Sequence, residues 1–296
     1  EKEGQYLKSD NRSNISYFLE HNVLLRRFTL SVGVLANYNS ALNEGIHFYP
    51  GIDASYRIGD NVRLYGSWNR ALRMPTFTDL YYEGKTNKGN PDLKPEESEA
   101  FEVGLKYNTY FLRAHIAGFY RKGKNMIDWV KEKPEDIWES QNLTKVDNLG
   151  FETNLSLLPR ELGNERFFIR KIELGYAFIH QDKDSEGYIS NYALDYLKHK
   201  FTAQLSHSIW KGFSATWYVR WQDRAGSYTK YENLKPAYEE PYAPYCLVDM
   251  KVNWEYQRLN LYAELNNLLN STYYDLGNIP QPGIWFKAGF RYSFKY

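Results

Sequence analysis

The amino-acid sequence predicts an all-β fold, a transmembrane antiparallel up-and-down β-barrel. Three observations predict it: long segments of alternating polarity, abundant aromatics without an apolar run long enough for a spanning helix, and connections that alternate between short and long. The alternation is clearest over residues 284–296. Ile284, Phe286, Ala288, Phe290, Tyr292, Phe294 and Tyr296 share one parity, while Trp285, Lys287, Gly289, Arg291, Ser293 and Lys295 share the other. Successive strand side chains point to opposite faces, so the segment has one apolar and one mostly polar face. A tilted strand crosses a bilayer in about nine to eleven residues, so lipid is expected on the even-numbered face.

The same pattern recurs upstream. Phe28, Leu30, Val32, Val34, Ala36 and Tyr38 form one apolar set, and Ile46, Phe48, Pro50, Ile52, Ala54, Tyr56 and Ile58 another. Further sets are Phe101–Tyr107, Phe213–Trp221, Val248–Trp254 and Leu259–Leu265, each taken at every second residue. One such strand is weak evidence, but many in succession point to a barrel. Tyr38, Tyr107, Trp221 and Trp254 fall towards strand ends, where interfacial aromatic girdles sit.

Short turns are predicted at Arg26-Arg27, Gly59-Asp60-Asn61, Asn108-Thr109, Lys211-Gly212 and Gln257-Arg258. Long polar loops are predicted at about 73–97, 130–137, 183–192, 226–241 and 272–283. Tight periplasmic turns and long extracellular loops alternate in this way in up-and-down membrane barrels. Counting back from Tyr296 gives about 13 strands starting near Arg12, with the C-terminus on the periplasmic side. Bacterial single-chain barrels usually have an even number of strands, so an odd count means a miscounted strand or a missing N-terminal portion; the latter is the reading favoured, with 1–296 as one incomplete domain. A soluble β-sandwich explains the alternation but not the strand lengths or the asymmetry of the loops.

Composition narrows the classes. The 296 residues include 27 Tyr, 16 Phe and 8 Trp, yet the mean hydropathy is negative, which suits an apolar outside with polar interior and loops. No stretch approaches the roughly 18 apolar residues of a spanning helix. A net charge of +1 gives no sign of a nucleic-acid partner. Cys246 lies on the apolar parity of its segment, where an inert thiol is expected. The polar opening Glu1-Lys2-Glu3-Gly4 is no signal peptide, so a processed or longer polypeptide is expected. Five Asn-x-Ser/Thr triplets, among them Asn142-Leu143-Thr144 and Asn270-Ser271-Thr272, are read as chance.

The segment from Leu64 to Tyr107 carries more. It contains Ser67-Trp68-Asn69-Arg70-Ala71, Arg73-Met74-Pro75-Thr76, Asp79-Leu80-Tyr81 and Gly89-Asn90-Pro91-Asp92-Leu93-Lys94-Pro95-Glu96, closing on Phe101–Tyr107. In that order the pieces resemble the TonB-dependent outer-membrane receptors. Glu264–Asn270 with Tyr273, and Pro282-Gly283, resemble the same family. Asn125–Trp129, followed by Asn142, Val146, Gly150 and Glu152, is most similar to its cobalamin and siderophore receptors. The resemblance implies the C-terminal part of a larger barrel in the outer membrane, without the family's plug domain or its TonB-gripping motif. It also implies as partners the lipid bilayer and lipopolysaccharide, the TonB complex through the missing N-terminal part, and a small-molecule cargo. A surface lipoprotein, or the rest of the barrel as a separate chain, completes the expected partners, and no cofactor or metal is expected.

The loop can also be read physically. Pro75, Pro91 and Pro95 remove backbone donors, so no regular strand runs through it. Asn90-Pro91-Asp92 favours a turn, and Glu96 and Glu97 are placed to pair with Arg70 or Arg73. The loop is expected to be a folded, structural plug of the barrel mouth, its Gly89–Glu96 piece serving structure more than substrate contact. The candidates for cargo contact are Tyr81, Tyr82, Trp138, Tyr228, Tyr231, Tyr238 and Tyr242 of the long loops, each weighed against a role in loop packing or at the membrane interface. Arg113, Arg220, Lys251 and Glu255 are inward strand charges expected to balance one another or a plug. The alternating Phe290, Tyr292, Phe294 and Tyr296 resemble the signal read by the barrel-assembly machinery. Energised uptake of a scarce nutrient, cobalamin or a ferric siderophore, is the expected function, with a passive pore or structural barrel as the alternative and an outer-membrane enzyme as a remote one. An enzyme is not expected. His21, His47, His115, His180, His199 and His207 form no close ligand pair, and no serine-nucleophile motif is present.

Overall fold

A computed structural model describes residues 6, 11–40, 45–133, 135–163, 166–184, 187–190, 196–232, 235–277 and 279–294. Its main strands are β1 (Asn14–Leu24), β2 (Phe28–Asn39), β3 (Ile46–Arg57), β4 (Val62–Arg73), β5 (Glu96–Asn108) and β6 (Leu112–Lys131). They continue with β7 (Trp138–Leu157), β8 (Ile169–Asp184), β9 (Tyr196–Trp210), β10 (Phe213–Ala225), β11 (Tyr245–Tyr256), β12 (Leu259–Asn266) and β13 (Trp285–Tyr292). These 13 strands follow chain order in one sheet, joined off the path by the two-residue strands Asn87–Lys88 and Ile189–Ser190. The count agrees with the sequence reading, and β1 begins two residues beyond Arg12. About ten residues suffice to cross a bilayer. At 20 residues each, β6 and β7 carry the sheet well past that limit.

The chain divides into two compact units. One comprises Glu1–Leu105, Ala117–Gly150 and His180–Leu194; the other comprises Lys106–Ile116, Phe151–Ile179 and Asp195–Tyr296. In the first unit, antiparallel register places like with like: His21, Val32, Ile52 and Trp68 form one row across β1–β4, and Val23, Leu30 and Ala54 form another. Ser31, Asp53 and Ser67 form a polar row on the opposite parity. The second unit repeats the logic. Trp217, Met250, Leu265 and Phe286 line up across β10–β13, as do Phe213, Trp254, Leu261 and Phe290. On its polar face Thr216, Lys251, Glu264 and Lys287 are directly opposed, and Glu264 accepts from Lys251 at 2.7 Å and Lys287 at 2.8 Å. Lys251 thus finds its carboxylate on β12, while Glu255 accepts from Asn260 at 3.2 Å. A one-residue slip would turn every apolar row to the polar face, so these rows fix the register.

The apolar faces are exposed in the chain by itself. Phe290 and Phe294 expose 74% and 78% of their surface. β1 is exposed along almost its whole length and pairs only with β2 among the described residues. The C-terminal strand is shorter than the alternation predicts, ending at Tyr292, and Tyr296 lies outside the described residues.

The predicted short turns fall where expected. Lys211 (φ 29°) and Gly212 (φ 85°) make a two-residue hairpin with both φ positive, the primed geometry that matches strand twist. One turn was not foreseen. Residues 158–168 contain a 3₁₀ turn at Pro159–Leu162, with Pro at its first position and Gly163 left-handed at its end. The long loops hold structure of their own: a helical turn at Phe77–Tyr81, a hairpin pairing Ser227–Glu232 with Lys235–Pro241, and a short pair of Tyr274–Leu276 with Ile279–Pro280.

Candidate functional site

The predicted site residues fall into two loop regions, one in each unit. In the first unit the segment after β4 folds on itself. Thr76 caps the helical turn: its Oγ1 accepts from Asp79 N–H at 3.1 Å, and Asp79 Oδ2 accepts from Thr76 N–H at 2.9 Å. Asn90 N–H donates to Asp79 O at 2.8 Å, and Gly89 N–H to Tyr82 O at 2.6 Å, so the Gly89–Asp92 piece lies against the turn. A Cβ on Gly89 would stand 2.8 Å from Leu80 C and Tyr81 N, too close for any side chain. Asn90 Oδ1 accepts from Asp92 N–H at 3.0 Å, the predicted turn around Pro91. Leu80, Tyr81 and Leu93 form a small core against Ile127, and Pro75 is buried.

Charge ties this loop to the strands. Arg73 grips Glu96 through two bonds, Nε–Oε2 at 2.5 Å and Nη2–Oε1 at 2.6 Å, and Ile127 N–H adds a third at 2.7 Å. Two parallel bonds from one guanidinium fix geometry as well as charge. Arg70 pairs with Glu99 at 3.3 Å and Glu97 at 3.7 Å. Asn142 completes the brace. Its amide accepts from Lys94 N–H at 2.8 Å and donates to Lys94 O at 2.9 Å and Asn125 O at 2.6 Å. The sequence suggested the Arg–Glu pairing, but not the bridging role of Asn142. Tyr81 is buried in the loop core, Tyr82 stands edge-on to Tyr6 (5.9 Å) and Trp129 (6.3 Å), and Lys131 lies over Trp138 at 4.5 Å.

In the second unit the hairpin 227–241 rests on the segment around Tyr274. Tyr228 packs against Tyr242 at 5.1 Å and Tyr274 at 5.7 Å, and Lys230 lies over both Tyr228 and Tyr274. Glu240 accepts from Lys230 at 2.9 Å and from the Tyr228 hydroxyl at 3.2 Å. Those bonds hold the Glu240 carboxyl below its ordinary range, Lys230 first, and Glu240 holds the Lys230 ammonium above its own. Burial raises the Tyr228 phenol, with the Glu240 bond adding to it. The Tyr228 side chain covers Gly277, where an added Cβ would fall 2.3 Å from Tyr228 Cβ and 2.6 Å from the ring's Cγ. Tyr242 is buried beneath Arg224, whereas Tyr231 and Tyr238 expose 55% and 53% of their surface. Tyr245 joins the region from β11, donating to Asp275 at 2.6 Å and meeting Tyr273 at 4.7 Å. Lys230, Glu240, Tyr245 and Tyr274 were not singled out from the sequence. Among the described residues, no group of His, Cys, Asp and Glu is placed to hold a metal ion.

An antiparallel up-and-down sheet, apolar on one parity and polar on the other, with folded loops between long strands, defines a membrane β-barrel protein of the outer membrane. A family model described as "TonB dependent receptor-like, beta-barrel" matches residues 3–268, and the chain belongs to that family. It is 25% identical over 191 residues to the vitamin B12 transporter BtuB of Vibrio vulnificus, covering 59% of this chain and 30% of that protein. It is 22% identical over 297 residues to the ferrienterobactin receptor of Escherichia coli K12, covering 90% of this chain and 38% of that protein. Among solved structures, a mutant ferric enterobactin receptor of Pseudomonas aeruginosa in complex with enterobactin matches with a TM-score of 0.74 at 20% identity, covering 96% of this chain and 46% of that one. The FrpB iron transporter of Neisseria meningitidis matches with a TM-score of 0.72 at 16% identity, covering 96% and 45%. The chain therefore spans about a third of these curated relatives and a little under half of the structural ones. Its relatives are transporters and receptors by name, not enzymes.

Proposed function

We propose that the chain forms the C-terminal part of the barrel of an outer-membrane receptor that takes up a scarce nutrient with energy from the TonB complex. The cargo is cobalamin or a ferric siderophore. The family match over residues 3–268 is the observation that carries this reading, and relatives named for vitamin B12 and for ferrienterobactin support the two cargo classes. TonB acts through the part of the receptor N-terminal to this chain. The rest of the barrel, in the same polypeptide or as a separate chain, completes the wall, with lipopolysaccharide and a surface lipoprotein as further partners. The long loops face outward, and the exposed Tyr231 and Tyr238 offer aromatic surface to cargo. The apolar, exposed Phe290, Tyr292 and Phe294 support the assembly-signal reading of the C-terminal strand.

The test is saturable binding of cyanocobalamin and of ferric enterobactin to the full-length receptor, followed by uptake in cells with and without TonB. Saturable binding of one of them and its loss of uptake without TonB are the expected results. Uptake that is linear in concentration and indifferent to TonB would establish a passive pore instead. Replacing Tyr231 and Tyr238 together by Ser is expected to weaken cargo binding about tenfold, as for a pair of aromatic anchors.

A further inference from the structure

The turn at residues 158–168 is the exception at its end of the sheet. The other turns there span two to four residues, whereas this one holds a 3₁₀ turn and exposes 58% of Leu162 and 57% of Phe168. A bulge in β8 adjoins it. Ser206 opposes Lys171 and His207 opposes Ile169, which leaves Arg170 as the extra residue. By parity Arg170 belongs with Ile172 and Leu174 on the apolar face. A bulge re-aims a side chain, and Arg170 Nε donates instead to Ser208 Oγ at 2.8 Å. Ser208 opposes Ser214 in the polar rows of β9 and β10. Its N–H donates to Phe168 O at 2.7 Å, so Phe168 stands opposite Ser208 and shares its polar side.

Arg160 reaches the same hydroxyl from the turn. Its Nη2 donates to Ser208 Oγ at 2.6 Å, and its Nε donates to Phe167 O at 2.8 Å. Two guanidiniums thus converge on one neutral oxygen, held in place before any partner arrives. The hydroxyl satisfies their geometry but not their charge, and like charges this close repel unless an anion joins them. Arg170 also lines a polar concavity of about 700 Å³ together with Arg258 and Arg291. The two carboxylates of that concavity are engaged, Glu264 by Lys251 and Lys287, and Glu255 by Asn260. Arg160, Arg170, Arg258 and Arg291 make no ion pair among the described residues. A small polyanion has no use for the exposed Phe168, and an apolar peptide has none for four arginines. We propose that this concavity and the adjoining turn bind an acidic peptide segment of a periplasmic protein. One carboxylate of the segment bridges Arg160 and Arg170, others reach Arg258 and Arg291, and an apolar side chain covers Phe168. The site stands apart from the cargo reading; only its periplasmic side rests on the short turns facing that compartment.

The full-length receptor in detergent, where sidedness and uptake play no part, tests this by fluorescence anisotropy of a labelled Glu-Glu-Phe-Glu-Glu peptide. Saturable binding that weakens as salt rises is expected, with none for the matching Gln-Gln-Phe-Gln-Gln peptide. Arg160→Gln/Arg170→Gln is expected to weaken binding about tenfold, as two partly exposed ion pairs imply. Phe168→Ser is expected to weaken it about threefold. Arg57→Gln/Arg63→Gln removes two directly opposed cations beside a short turn of the other unit and is expected to leave binding unchanged. Heat-modifiable gel mobility reports that each variant is a folded barrel. Should the Arg160/Arg170 variant not fold, Arg258→Gln takes its place, with an expected loss of about threefold. No binding of the glutamate peptide, equal binding of the glutamine peptide, or full binding by the folded arginine variant overturns the proposal. An equal loss in the Arg57/Arg63 variant does the same. So does displacement of the peptide by tripolyphosphate at the same concentration, which would reduce the site to a simple anion site.

Discussion

The two loop regions that carry the candidate tyrosines are held by different forces. The loop after β4 is locked by backbone accounting: a capping box, a Gly89 with no room for a side chain, an amide bridge from Asn142, and a Glu96 carboxylate with three donors. The hairpin 227–241 carries its own backbone ladder and two hydroxyl bonds to Glu239, and it is fastened to its surroundings by faces of rings, with the Lys230–Glu240 ion pair on its surface. A region built on buried, directional bonds has few ways to rearrange, so the motif loop acts as a brace for the strands it joins. The second region is fastened by ring packing around Tyr228, which leaves Tyr231 and Tyr238 exposed. On the proposed function, the first region serves as structure and the second offers the contact surface.

That contrast can be broken by substitution. Glu96→Ala should have the largest effect, because it strands Arg73 and the Ile127 N–H together. With Arg73 half exposed, about 2–3 kcal/mol of local stability should be lost. Hydrogen exchange of residues 76–96 in the full-length receptor is the measurement, and unchanged protection would show that the loop is held by packing alone. Gly89→Ala should follow at about 1–3 kcal/mol, since the new Cβ meets backbone that cannot turn away. Tyr228→Ala should cost the hairpin about 1 kcal/mol in lost ring contacts, visible as faster proteolysis within 227–241 and no change in the motif loop. A larger effect from Tyr228 than from Glu96 would invert the comparison.

Much of this was legible in the sequence, for reasons that can be named. Strand parity follows from a period of two, so the row Trp217, Met250, Leu265 and Phe286 was implicit in four separate alternations. The Lys211-Gly212 turn follows from what its backbone demands. The Arg73–Glu96 pair was legible as opposite charges at the two ends of one loop. Asn142 was not: its triplet was read as chance, and its contacts with Lys94 and Asn125 depend on where three strands bring their ends. The hairpin 227–241 was hidden because its alternation is short and charged, and because what holds Tyr228, the Gly277 and Tyr274 segment, is distant in sequence. Local patterns reveal strands and turns, but loop cores are made by long-range contacts between residues with no pattern of their own.

The smallest expected effect tests the ionic part of the hairpin. Glu240 is depressed below 4.5 by Lys230, so its contribution is present above 4.5 and is lost as pH falls through the lowered value. Lys230 is raised above 10.5 by Glu240, so its contribution is present below 10.5 and is lost as pH rises through the raised value. Protection of residues 227–241 should therefore be flat between those limits and decline outside them. The pair is exposed, so high salt should weaken it at neutral pH, because the screening length falls to about 3 Å at 1 M. Lys230→Met keeps aliphatic contact with Tyr228 and Tyr274 but removes the charge, and should abolish the salt response and shrink the acid limb to what the Tyr228 bond to Glu240 leaves. The motif loop, with Glu96 buried under three donors, should show little salt response under the same conditions. A salt response of equal size in both regions would mean that exposed charge, rather than buried hydrogen bonding, holds the brace as well.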